Sequence, residues 1–197
     1  MAKQPNGYIR QITKRDKKLL VQLAKTGMAT VEQSEKYAEV KIKRLKRLER
    51  SKYIKLTTLI NGGKETTIIQ LNKKGKNYIR ETLMYDQKLA VASPDHVSHD
   101  IQLAETYYRL EPEFQATFIC EHELISQIYE DKPYLTNKLE TCIDAAIITV
   151  TGETIGIEVI GKTYTQSDIN SKIQIAKSHL NCTKINWINN TGKIFKY

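Results

Sequence analysis

The chain has 197 residues, 40% of them apolar, and a formal net charge of +9. That is enough apolar side chain for one large core or two small ones, and too much for a disordered chain. No apolar run approaches the roughly 18–20 residues of a membrane span, MAKQPNGYIR carries no apolar stretch with a cleavage site, and the three cysteines (Cys120, Cys142, Cys182) form no CxxC pair, so the expectation is a cytoplasmic protein with free thiols, no signal peptide and no membrane partner.

The charge is unevenly spread. Residues 1–90 hold 22 Lys/Arg against 8 Asp/Glu, whereas residues 91–197 hold 9 against 14. A basic half joined to an acidic half predicts two domains, 1–90 and 91–197. The basic half predicts a polyanion partner, most simply nucleic acid.

In the basic half, TKRDKKLLVQLAKTG predicts a first helix with Thr13 as cap, Asp16 in its first turn, Leu19, Leu20 and Leu23 on its buried face and Gly27 as its stop. A second helix starts at Thr30, and a third follows in EVKIKRLKRLERS. YIKLTTLI and ETTIIQL are β-branched runs separated by NGGK, a hairpin with a glycine turn. LNKKGKNYIRETLMYDQ reads as a closing helix. Three helices, a two-stranded wing and a helix is the order of a winged helix-turn-helix.

Wound at about 100° per residue, the third helix puts Ile42, Leu45 and Leu48 on one arc, to pack on the first two helices. Lys43, Lys46, Arg47 and Arg50 fall opposite, with Lys41 and Arg44 flanking the apolar arc. A narrow buried seam with cations elsewhere fits a helix that enters the major groove of double-stranded DNA, and Lys64 at the wing tip is placed to reach the backbone. Through RLKRLERSKYI and LNKKGKNYI, residues 12–85 resemble winged-helix DNA-binding domains.

In the acidic half, SPDHVSHDIQLAETYYRL predicts a helix started by Ser93, Pro94 and Asp95, with Val97, Ile101, Ala104 and Tyr108 buried and Glu105 at the margin of that stripe. Strands follow at QATFIC (115–120), CIDAAIITV (142–150) and TIGIEVIG (154–161). A helix over TQSDINSKIQIAKSHL then has Ile169, Ile173 and Ala176 facing in, and TKINWI (183–188) is the last strand. The order is αβββαβ, with the last strand parallel to a neighbour. The tight turn after the 142–150 strand brings Asp144 close to Glu158, and Glu158, Ile160 and Lys162 share one strand face. Asp144, Glu158 and Glu105 are hard oxygen ligands of the kind that suit Mg2+ or Mn2+, with a nearby lysine to steady developing charge.

The αβββαβ order, Asp144 in CIDAAI, Glu158 in IGIEVIGK and helical Glu105 resemble the PD-(D/E)xK superfamily, the restriction-endonuclease-like fold, over about residues 93–190. With a winged helix in front, SHDIQLAE and IDAAI…IEVIGKTY resemble the replication-relaxation proteins of plasmids and integrative elements, including the MOB-C relaxases. That resemblance implies an α+β two-domain protein that recognises an origin and nicks it as a metal-dependent endonuclease, with catalytic Glu105, Asp144, Glu158 and Lys162. It also implies other transfer or replication proteins as partners. The chain departs from the pattern at Ile160, where the superfamily has a polar group, usually lysine; Lys162 and Lys172 are the candidates to stand in. Two readings stay open: a nickase, or a non-catalytic regulator on a degenerate nuclease fold. His96, His99, Cys120 and His122 match no tight zinc spacing, Tyr107, Tyr108 and Tyr164 are weak candidate nucleophiles, and no phosphate-binding GxxxxGK[ST] loop is present.

Overall fold

The computed structural model describes residues 7–136, 138, 139, 141–161, 163–189 and 192–195. The fold is α+β with two small sheets. The chain divides into two compact units, Met1–Asp86 with Ala92–Ala104, and Gln87–Val91 with Glu105–Tyr197. The division is not a single cut near residue 90, because residues 92–104 are tied to the basic part. Val97 packs with Met28 and Ile68, Gln33 Nε2 donates to Ile101 O, and Ser98 Oγ donates to Asn61 Oδ1.

In the first unit, α1 (Lys14–Thr26) begins at a reciprocal cap: Thr13 Oγ1 accepts from Asp16 N, and Asp16 Oδ2 accepts from Thr13 N. Thr30 and Gln33 do the same for α2 (Val31–Ala38). Then come α3 (Ile42–Arg50) and the hairpin of β2 (Ile54–Asn61) and β3 (Lys64–Leu71), paired from Ile54↔Leu71 to Asn61↔Lys64. Gly62 and Gly63 turn it at φ 57° and 79°, a conformation that glycine adopts without strain. A two-residue strand that the sequence pattern does not predict, β1 (Ala29–Thr30), lines the other edge of β3. The closing helix is shorter than expected: α4 (Lys73–Asn77) gives way to a π-helical turn, Tyr78–Thr82.

Leu19, Leu20, Leu23, Leu45, Leu48, Ile54, Ile69 and Ile79 are fully or almost fully buried in this unit. Each such side chain contributes roughly 1.5–3 kcal/mol from burial. Ile42, expected on the same seam as Leu45 and Leu48, is instead 41% exposed. Arg44 takes the inward place beside the two leucines. Its Nε donates to Asp16 Oδ1 at 3.0 Å, and its Nη2 to Asp16 Oδ2 at 2.5 Å and Gln11 O at 2.8 Å.

In the second unit, α5 (Val97–Arg109), of which this unit holds Glu105 onward, follows a 3-10 turn, Pro94–His96. The segment expected as a strand at 115–120 is mostly helix: α6 (Pro112–Thr117), with only β4 (Ile119–Cys120) extended. Pro112 at the first helical position sets the helical φ, and Gln115 Nε2 folds back onto Leu110 O. After α7 (Glu121–Asp131) come β5 (Ala145–Ile148), β6 (Thr154–Ile160), α8 (Gln166–Leu180), β7 (Cys182–Asn189) and β8 (Ile194–Phe195). The sheet order is β4-β5-β6-β7-β8. β6 and β7 are parallel across the α8 crossover, as the sequence predicts, and the other pairs are antiparallel. β6 is central and buried. A Cβ on its Gly156 would lie 3.0 Å from Ile143 Cδ1 and 3.2 Å from Ile185 Cγ1, so a larger residue there would press on both neighbours. Among the described residues no helix is long and apolar enough to cross a membrane.

Asp16 has no exposed surface. Burial pushes its carboxyl up, but hydrogen bonds from Arg44 and Thr13 and the Arg44 charge outweigh this and hold it below the ordinary 3.8. Asp16→Ala should cost about 3 kcal/mol, because it strands the buried end of a guanidinium. A folded-state value below the unfolded one gives stability that is present above pH 3.8 and lost as pH falls through the folded value. The wild-type advantage over Asp16→Asn in urea midpoint should therefore hold at neutral pH and shrink in that acid window.

Candidate functional site

Two groupings of charged side chains stand out, one in each unit. In the first unit, Lys43, Lys46, Arg47 and Arg50 all point outward from α3. Ile42, Lys46 and Arg50 are spaced i, i+4, i+8 along one stripe, with Lys43 and Arg47 beside it. Lys41, the helix cap, and Lys64, at the hairpin end of β3, are also exposed. None of Lys43, Lys46, Arg47 and Arg50 makes an ion pair with another described residue. Glu49 Oε1 accepts from Leu56 N at 2.9 Å and ties α3 to the hairpin. Arg44 is the exception among the expected ligand-facing cations. Its guanidinium is committed to Asp16 and Gln11, so it is a clamp between α3 and α1.

In the second unit, Asp144 and Glu158 do come together. β5 and β6 pair from Ile148↔Thr154 to Ala145↔Ile157, so the next position sets Asp144 against Glu158. There the ladder passes from main chain to side chains. Asp144 N donates to Glu158 Oε2 at 3.0 Å, and Val159 N donates to Asp144 Oδ2 at 2.7 Å. Glu158 Oε1 also receives Lys172 Nζ at 2.7 Å and the Tyr164 hydroxyl at 2.7 Å. Lys172 Nζ donates in addition to Cys142 O. Glu158 is 0%, Asp144 7% and Lys172 8% exposed.

Lys172 reaches Glu158 because it sits between Ile169 and Ala176 on the buried stripe of α8. The capping box of Thr165 and Asp168 starts the helix at that phase. The i, i+3, i+7 spacing of residues 169, 172 and 176 was the sequence signal for it; Ile173, expected to face in, is only half-buried. Lys162 lies outside the described residues.

Burial pushes the Glu158 carboxyl up, to about 7; the Asp144 charge adds to this, while Lys172 and Tyr164 oppose it. Burial works against the charged form of Lys172, but the Glu158 and Asp144 charges outweigh it and hold the ammonium above its ordinary value. Both partners thus keep their protons more tightly than in water. Glu121, the first residue of α7, donates its N–H to Asp144 O at 2.9 Å, and its charge is felt at Lys172 and Tyr164.

The third expected carboxylate is engaged elsewhere. Glu105 Oε1 accepts from Arg109 one turn on, at 3.1 Å from Nε and 3.0 Å from Nη2. Among the described residues no group of three or more His, Cys, Asp or Glu side chains is gathered where one metal ion could be held. Asp144 and Glu158 are the right chemistry for Mg2+ or Mn2+, but Glu158 already receives three protein donors and has no exposed surface. As they stand, these residues do not fit a resident divalent cation, because the Lys172 ammonium takes the cation's place. The tyrosines do not fit a nucleophile's role either. Tyr107 is buried against Phe118, with ring centroids 5.2 Å apart, and its hydroxyl is pushed up to about 12. Burial likewise raises Tyr108, and burial with the Glu158 charge raises Tyr164.

Removing one partner of a buried pair costs about 3–5 kcal/mol, whereas replacing both is often near neutral. Lys172→Met should therefore lower stability by about that much at neutral pH, and adding Glu158→Gln should restore most of it; denaturant titration of the four proteins reads the cycle. The raised Glu158 value means that the native state holds more protons than the unfolded one between pH 4.5 and about 7. Wild-type stability relative to Glu158→Gln should accordingly fall as pH rises through that window.

Compared with family models, with curated proteins and with solved structures, the chain finds no match.

Proposed function

We propose that this chain is a sequence-specific, duplex-DNA-binding protein of a plasmid or integrative element, acting at an origin or transfer locus as a non-catalytic accessory or regulatory factor. The observation that carries the reading is the outer face of α3. Four cations there make no ion pair with another described residue, on a helix locked to α1 by Arg44–Asp16 and to β2 by Glu49. Exposed cations on a helix held in place by its neighbours are what phosphate and base contacts require. The hairpin with exposed Lys64 fits the wing of a winged helix-turn-helix.

The second unit then fits a restriction-endonuclease-like fold whose carboxylates have become structural. The Asp144–Glu158 pair closes the open end of the β5–β6 ladder, and Lys172 neutralises it. The relaxase reading, in which Glu105, Asp144 and Glu158 hold Mg2+ or Mn2+ and nick the origin, keeps one observation in its favour: Lys172 sets beside Glu158 the cation that Ile160 denies to the strand.

Binding of the full chain to duplexes selected from a random pool tests the first reading. Affinity should fall steeply with salt, and substituting Lys43, Lys46, Arg47 or Arg50 by a neutral residue should lower the log–log salt slope by about 0.9 for each phosphate left without its cation. Salt-independent binding, or a preference for RNA over duplex DNA, would count against it. Supercoiled plasmid carrying the selected site, incubated with Mg2+ or Mn2+, should stay closed. Open-circle product that disappears with Asp144→Ala or Glu158→Ala would establish the relaxase instead.

A further inference from the structure

The sequence periodicity assigns Ile42 to the buried seam of α3, and the structure leaves it 41% exposed at the first position of the helix. One exposed isoleucine needs no explanation. Its surroundings do: it heads the stripe that continues through Lys46 and Arg50, with Lys43 adjacent and Lys41 at the cap. It is thus an apolar side chain set at the N-terminal end of a cationic face. On a helix lying in the major groove, the N-terminal residues are those that meet base edges, while flanking cations hold the phosphates. The apolar group displayed in that groove is the thymine C5-methyl, which an adenine, guanine or cytosine lacks.

We infer that Ile42 is a specificity-determining residue that packs on a thymine C5-methyl in the major groove and selects a T·A pair at one position of the DNA site. The inference rests on the DNA-binding reading. It commits to duplex DNA as the occupant because a protein partner that docked on Ile42 would have to meet five neighbouring cations, Lys41, Lys43, Lys46, Arg47 and Arg50. A polyanion is the complement to that ring of charge. Ile42 lies outside the buried Leu45–Leu48 seam, so its truncation leaves the helix docking intact.

The test uses the full-length chain as wild type, Ile42→Val and Ile42→Ala, with thermal unfolding to check that all three fold alike. Sites are selected from random duplexes with the wild type, and each thymine of the selected site is then replaced singly by deoxyuridine, which lacks only the methyl group. Burying one methyl predicts about a fourfold loss of wild-type affinity at one thymine position. That loss should be reduced in Ile42→Val and absent in Ile42→Ala, whose own selected sites should no longer require thymine there. An equal deoxyuridine penalty for wild type and Ile42→Ala at every position would overturn the assignment of Ile42 while leaving DNA binding in place. A wild-type chain that enriches no duplex sequence would overturn the DNA-binding reading and this inference with it.

Discussion

A carboxylate taken out of water must be surrounded by donors, and each unit of this chain is organised around one such group. In the first unit it is Asp16, which closes the N-terminus of α1 through Thr13 and receives the fork of Arg44 from α3. In the second it is Glu158, in the central strand, which receives a main-chain N–H from residue 144, the Tyr164 hydroxyl and the Lys172 ammonium. An unsatisfied buried charge costs several kcal/mol, so neither arrangement tolerates drift. The phase of α3 about its own axis and the phase of α8 above the sheet are both set by where a cation has to arrive.

The Arg44–Asp16 clamp has a consequence for the surface. With Arg44 turned inward alongside Leu45 and Leu48, the opposite side of a nine-residue helix is left to Ile42, Lys43, Lys46, Arg47 and Arg50. The glutamate of this helix, Glu49, accepts from the Leu56 N–H and makes no ion pair with the described cations of that face. The four outer cations of this helix make no ion pair with another described residue, and like charges gathered on one face attract a polyanion.

In the second unit the same requirement explains the glutamate in IGIEVIGK. The β5–β6 ladder ends at Ala145↔Ile157, and beyond it the two acidic side chains take over the acceptors' part for Asp144 N and Val159 N. The pair works as a clasp at the mouth of a hairpin, and Lys172 makes its burial bearable. The cation beside Glu158 comes from α8 and not from the strand.

Much of this was legible in one dimension. The Thr13–Asp16 cap, the NGGK turn and the Leu19–Leu20–Leu23 face follow from local chemistry or short periodicity, because capping and turn preferences act within four residues, and the parallel β6–β7 pair follows from the helix that joins the two strands. The closeness of Asp144 to Glu158 followed from a tight turn and strand pairing. What the sequence could not decide was which of several equivalent side chains faces inward. At 100° per residue Ile42 and Arg44 both border the apolar arc, and hydrophobicity favours the isoleucine; the buried Asp16, 28 positions earlier, makes arginine the inward choice. Glu105 and Lys172 were both within reach on paper. Arg109, one turn along the same helix, engaged the first, and the phase of α8 over Cys142 and Glu158 delivered the second. Local sequence determined the caps, the turns and most of the elements, though not the helix that Pro112 starts where a strand was expected; long-range pairing of buried charges, a tertiary property, decided that Arg44 and Lys172 are structural cations.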